Sequence, residues 1–202
     1  MLKKLNDNYE IGLDEAGRGP LIGRVYAGAV IWGQDTKDND MITDSKKLSA
    51  KKRAECLKWI KENVYCWGVG FAEPSEIDTL NILEATKLAM ERAISDLKSK
   101  LKENVKTTNL IIDGCYWEKK FPEYKVTSVV KGDAKFLSIA AASIIAKEYH
   151  DEHIMELCKT NPELNAKYDL EKNKGYGTKK HMEGLQKHGT SQYHRKSFKC
   201  CV

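Results

Sequence analysis

Four carboxylates in this chain share a peculiarity of placement. Asp14, Asp113 and Asp133 each come just after a short β-like run, and Glu15 sits beside the first. Strand ends of an open α/β sheet border the crevice where ligands usually bind, so side chains distant in sequence converge there. Acidic groups gathered without basic partners repel one another and hold their protons more tightly unless a cation joins them. A hard divalent ion such as Mg²⁺ or Mn²⁺ relieves that repulsion, and Mg²⁺ commonly bridges a few carboxylates to substrate phosphates. Two such ions can activate water and stabilise a leaving oxygen in phosphodiester hydrolysis. Successive strand residues point to opposite faces, so Asp14 and Glu15 are expected to share a site only where the strand breaks, and the glycines that follow invite a break. Each residue also has an ordinary reading. Asp133 suits a helix N-cap, Asp113-Gly114 a turn, and Asp14-Glu15 a solvated strand end.

The neighbouring segment Gly17-Arg18-Gly19-Pro20 adds a backbone that a ligand can approach closely and a guanidinium fork suited to phosphate. Asp44-Ser45-Lys46-Lys47 sets a hydroxyl and cations before a helix start, an environment that favours phosphate, although an exposed basic loop reads the same way. Later, Gly175-Tyr176-Gly177-Thr178 holds an aromatic between flexible residues, and His194-Arg195-Lys196-Ser197-Phe198 reads as a basic cluster with an aromatic. His150 and His153 stand three apart on a helix, and with no third nitrogen or sulfur ligand near them they are expected on its polar face rather than at a metal.

The elements that must position these groups follow from periodicity. Residues 9–13, 25–32, 64–72, 110–112 and 125–130 read as strands, and 49–62, 80–101 and 136–157 as helices, with Ser49 as an N-cap. The last helix is apolar on most sides in its first half, which marks it as buried. Strands and helices alternating after an initial hairpin imply a mixed sheet covered by helices. We expect an α/β domain over 1–160 and a helical extension and tail over 161–202. At 202 residues with 41% hydrophobic content the chain can bury a real core, and its near-balanced charge argues against disorder. The excess of 34 Lys+Arg over 29 Asp+Glu, a net +5, mildly favours a polyanionic partner. No apolar run is long enough for a membrane span, and six cysteines without a CxxC pair suit a reduced, cytoplasmic setting.

Together these blocks identify a resemblance. DEAGRGPL at Asp14–Leu21, DSKKLS at Asp44–Ser49, NILEATKLAM at Asn81–Met90, DG at Asp113, KGD at Lys131–Asp133, AAASIIAK at Ala140–Lys147, GYGT at Gly175–Thr178 and HRKSF at His194–Phe198 occur in the order seen in bacterial-type ribonuclease HII. The chain resembles that family from Asp14 to Phe198. The resemblance implies a ribonuclease H-like fold, with a five-stranded mixed sheet flanked by helices and a helical C-terminal extension. It implies Asp14, Glu15, Asp113 and Asp133 as metal ligands for two Mg²⁺ or Mn²⁺ ions, and Gly17, Arg18 and Gly19 as readers of a ribose 2′-hydroxyl. Tyr176 would stack on the adjacent sugar at an RNA-to-DNA junction, and Lys46 would contact phosphate. The implied reaction is hydrolysis of RNA in RNA/DNA hybrids and incision 5′ of single ribonucleotides in duplex DNA, leaving 3′-hydroxyl and 5′-phosphate ends. A monomer acting on nucleic acid is expected, and SFKCCV shows no pattern for binding a replication clamp. Ribonuclease HIII, with a different glycine motif, fits less well. Arg24 and His150 depart from the family's usual proline and arginine.

Overall fold

The computed structural model describes residues 1–2, 5, 9–101 and 105–201. β1 (Ile11–Ala16) pairs antiparallel with β2 (Val25–Ile31), which pairs antiparallel with β3 (Cys66–Ala72). On the other side of β1, β4 (Asn109–Asp113) and then β5 (Lys125–Val129) add in parallel, giving the order β3-β2-β1-β4-β5. The expected five-stranded mixed sheet is therefore present, with β1 at its centre.

Helices α1 (Ala50–Asn63), α2 (Pro74–Leu80), α3 (Ile82–Ser99) and α4 (Leu137–Thr160) cover the sheet, and α5 (Pro162–Tyr168), α6 (Leu170–Asn173) and α7 (Lys179–His188) follow. Ser49 caps α1 by accepting the Lys52 amide. The helix expected over 80–101 is present as α3, and a further short helix, α2, precedes it where the sequence announced none. Asn81 adopts φ 71°, which ends α2, and its side chain accepts the amides of Leu83 and Glu84 to start α3. The polar sequence of α2 lacks apolar periodicity, which hid it. Among the described residues no helix is long and apolar enough to cross a membrane.

Small residues decide how closely the helices approach. A Cβ at Gly12 would lie 2.6 Å from Ser138, and one at Gly28 would lie 2.3 Å from the carbonyl oxygen of Ala142. The apolar first half of α4 thus rests on the bare backbone of β1 and β2, which fixes Ser143 over the end of β1. Gly68 and Gly70 admit α3 on the opposite face in the same way. There Ile11, Leu13, Leu110 and Ile112 pack against Ala89, Met90 and Ala93. Gly28→Ala is expected to cost about 1–3 kcal/mol, because the added methyl meets backbone that cannot move independently of α4. Urea denaturation measures this, and a loss below about 0.5 kcal/mol, the size of an ordinary surface change, would contradict the packing.

Candidate functional site

β1 carries Asp14 and Glu15 within the strand, opposite Gly28 and Ala27 of β2, so the break expected at these residues does not occur. The turn begins after Ala16, at Gly17 with φ 89°. Strand parity sends Asp14 to the α4 face with Gly12, while Glu15 points the other way. Asp14 is 6% exposed, and its carboxylate accepts from the Ser143 hydroxyl and, at 2.8 Å, from the Glu15 amide. Ser143 Oγ also lies 2.9 Å from Ser45 Oγ, so the Ser45 hydroxyl donates to Ser143 while Ser143 donates to an ionised Asp14. Ser45 is thereby buried in the interior, not presented to a phosphate as the sequence suggested. Ser143 itself was missed. Its signal is a lone polar residue inside an alanine and isoleucine run.

The parallel register matches Leu13 to Ile112, which brings Asp14 and Asp113 to equivalent positions at the ends of adjacent strands. Asp113 Oδ1 accepts the Gly132 amide at 2.6 Å, tying β4 to the turn that carries Asp133. That turn is a short 3-10 segment, Gly132–Ala134, introduced by Lys131 at φ 56°. Phe136 occupies the N-cap of α4, so Asp133 is not the cap. Burial pushes the Asp14 carboxyl well above the ordinary range, with Glu15 and Asp113 adding to the rise. Glu15 is also raised by burial, against the pull of Arg18, whose Nη1 lies 3.3 Å from Glu15 Oε1. Asp133 is raised by burial and by the charges of Asp113 and Asp44. Burial opposes the charge of Lys46, but Asp14, Asp133, Asp44 and Asp113 outweigh it and hold the ammonium more firmly protonated. Lys46 is thus a cation within reach of the charges of all four of these aspartates.

The chemistry of this donor set suits a hard divalent cation, since it consists of carboxylate oxygens and burial makes Asp14, Glu15 and Asp133 hold their protons more tightly. Among the described residues no three acidic, imidazole or thiolate groups stand placed to hold a metal ion together. Glu15 Oε1 is engaged by Arg18 and Asp113 Oδ1 by the Gly132 amide, so each commits one of its two carboxylate oxygens.

The glycine loop meets the late aromatic directly. A Cβ on Gly19 would touch the Tyr176 ring at 3.3 Å, and a Cβ on Gly17 would lie 2.4 Å from the His150 ring. Tyr176 is 42% exposed, with Lys147 Nζ 5.9 Å from its ring centroid. His150 is fully buried, bonded through Nδ1 to Asp151, and His153 packs on Tyr26, so neither lies on a polar face as expected. The basic cluster read at 194–198 is also corrected. His194 and Arg195 are 1% and 0% exposed. The Arg195 guanidinium donates to the carbonyls of Gly17, Arg18, Gly23 and Arg24, which no pattern in the sequence announced. Arg24 pairs with Glu73 at 2.6 Å and covers the Phe71 ring.

A family model described as Ribonuclease HII matches residues 11–201. The chain belongs to the ribonuclease HII family. It is 46% identical over 199 residues to Ribonuclease HII of Bacteroides thetaiotaomicron, covering 98% of this chain and 94% of that protein. The crystal structure of the ribonuclease H2 from Pyrococcus horikoshii matches with a TM-score of 0.73 at 25% identity, covering 95% of this chain and 94% of that one. The fold is also that of RNase HII in its PCNA complex from Archaeoglobus fulgidus, with a TM-score of 0.70 at 24% identity over 96% and 93% of the chains. Membership of the ribonuclease HII family makes the protein a ribonuclease H, an endoribonuclease that acts on RNA/DNA hybrids.

Proposed function

We propose that the acidic ends of β1 and β4 and the turn after β5 form the hydrolytic centre, and that the slot between Gly19 and Tyr176 selects where it cuts. The Tyr176 ring stands so near Gly19 that a Cβ there would lie 3.3 Å from it, and the adjoining Arg18 reaches Glu15; this juxtaposition is the observation that carries this reading. Asp14, Glu15, Asp113 and Asp133 would hold two Mg²⁺ or Mn²⁺ ions. Such ions supply an activated water and neutralise charge on the leaving oxygen.

The protein's own groups do the remaining work. Ser143 orients Asp14, and the Gly132 amide orients Asp113. Lys46 meets the scissile phosphate as a fixed positive charge. Arg18 exchanges Glu15 for substrate. Reading a 2′-hydroxyl separates RNA from DNA and requires close backbone approach, which Gly17 and Gly19 permit. The exposed ring of Tyr176 then offers a flat apolar face to the next sugar. The cut falls 5′ of the ribonucleotide, and lone ribonucleotides in duplex DNA are substrates as well as hybrids.

A labelled DNA duplex holding one ribonucleotide tests the assignment. A nick on its 5′ side with Mg²⁺, lost on adding chelator, is the expected result. Cleavage that persists in chelator would overturn the metal assignment. Tyr176→Ala should lower incision at the lone ribonucleotide by roughly tenfold more than cleavage of a long hybrid, the scale of one lost stacking contact. Equal losses would remove Tyr176 from junction reading.

A further inference from the structure

His194 and Arg195, the first two residues of the basic stretch 194–198, reach both walls of the proposed slot from inside the protein. Arg195 Nη2 donates to the Gly17 carbonyl at 2.6 Å and Nη1 to that of Arg18 at 3.1 Å. Its own amide donates to Leu21, and the Leu21 amide donates to Gly175, so the glycine loop is fastened to the 175–177 turn as well.

His194 serves the opposite wall through a second histidine. The backbone amide of Ser191 points at His194 Nδ1 at 2.9 Å, and an amide only donates. Nδ1 is therefore bare and a neutral His194 carries its proton on Nε2. That nitrogen lies 3.1 Å from His181 Nε2, which must then accept. The His181 proton is left on Nδ1, 3.1 Å from the carbonyl oxygen of Tyr176, which only accepts. The Ser191 hydroxyl also lies 2.8 Å from Nδ1 and can donate or accept, so the direction rests on the Ser191 amide, and with it the neutral pair forms a relay from Ser191 to Tyr176. Burial holds His194 down to about 4, with the neighbouring His181 adding to the drop, and burial lowers His181 too. The Tyr176 carbonyl also accepts the Thr178 amide at 2.8 Å, so the turn is held from two sides.

We infer that His194 and Arg195 form one positioning unit for substrate discrimination, with Arg195 setting the glycine wall of the slot and the His194–His181 relay setting the Tyr176 wall. This rests on the junction-reading role proposed above for Gly17, Gly19 and Tyr176. Neither residue touches substrate. A fixed separation of the walls lets one slot favour a ribose next to a deoxyribose over a continuous hybrid.

Three variants on two substrates test it. His181→Phe removes both ends of the relay. His181→Gln keeps an acceptor for His194 and a donor for Tyr176, because its amide oxygen and nitrogen are spaced much like the two ring nitrogens. Tyr176→Ala is the control for the underlying reading. His181→Phe should lower kcat/KM at a lone ribonucleotide by roughly tenfold and on a long hybrid by under about threefold, with His181→Gln recovering most of the loss. A selective loss in Tyr176→Ala without one in His181→Phe overturns the relay alone. Equal losses on both substrates in Tyr176→Ala overturn the junction reading and the inference with it. Long-range ¹H–¹⁵N correlation on the wild-type protein needs no variant to fold. At neutral pH it should show His181 protonated only at Nδ1 and His194 only at Nε2, and any other pair of states refutes the relay.

Discussion

Asp14→Asn is expected to abolish hydrolysis, lowering turnover by roughly 10³-fold or more, while the metal-free protein becomes more stable rather than less. The first half follows from what the amide removes. It is nearly isosteric and can still sit under Ser143, but it withdraws one full negative charge from the centre of the acidic cluster. Loss of a charge that holds a catalytic cation costs several kcal/mol of transition-state stabilisation, which corresponds to that factor. The second half follows from linkage. Asp14 is buried, and its folded-state proton affinity is raised by burial, by Glu15 and by Asp113. A carboxyl raised on folding contributes stability below its unfolded pKa and loses that contribution as pH rises through the folded one. At neutral pH the ionised group therefore opposes folding, and Asn relieves it. The gain in melting temperature should be largest at neutral pH in chelator and should vanish below about pH 4, where the reference carboxyl is itself protonated. Saturating Mg²⁺ should favour the wild type, since a ligand bound only by the folded state stabilises it. Turnover within tenfold of wild type would remove Asp14 from the centre, and a lowered melting temperature in chelator would contradict the electrostatic account.

Arg195→Met should be among the most destabilising single changes in the chain, at about 3–5 kcal/mol. Among the described residues no carboxylate is hydrogen-bonded to its guanidinium. Four carbonyls, of Gly17, Arg18, Gly23 and Arg24, take its donors instead. Burial brings its pKa down to about 10, so it stays charged at neutral pH, and the Phe198 ring covers it at 5.3 Å. Methionine approximates the volume but leaves those acceptors without partners, at about 1–3 kcal/mol for each that stays buried, partly offset by no longer burying a charge. Arg195→Lys should recover only part of the loss, because one ammonium cannot span a fork-shaped set of four acceptors. Equilibrium unfolding in urea measures both. A cost under about 1 kcal/mol for the methionine variant would show that the loop carbonyls find other donors readily.

The strand and helix pattern was legible in the sequence because burial imposes its period directly: β2 is buried throughout and α4 through most of its first half, and both were read close to their ends. The acidic residues were legible too, since each follows a β-like run, and so was the aromatic between two glycines. The errors have one physical origin. The course of β1 past Glu15, the extra helix that ends at Asn81 and the burial of His150, His194, Arg195 and Ser45 all depend on partners between 10 and 178 residues distant or on a single backbone angle, which local composition does not encode. A charged side chain reads as surface until the carbonyls that satisfy it are known. The sequence by itself singled out the groups proposed to carry the chemistry. Only the tertiary structure decided which of them face the crevice and which hold its walls, because direction and distance arise when the helices close onto the sheet.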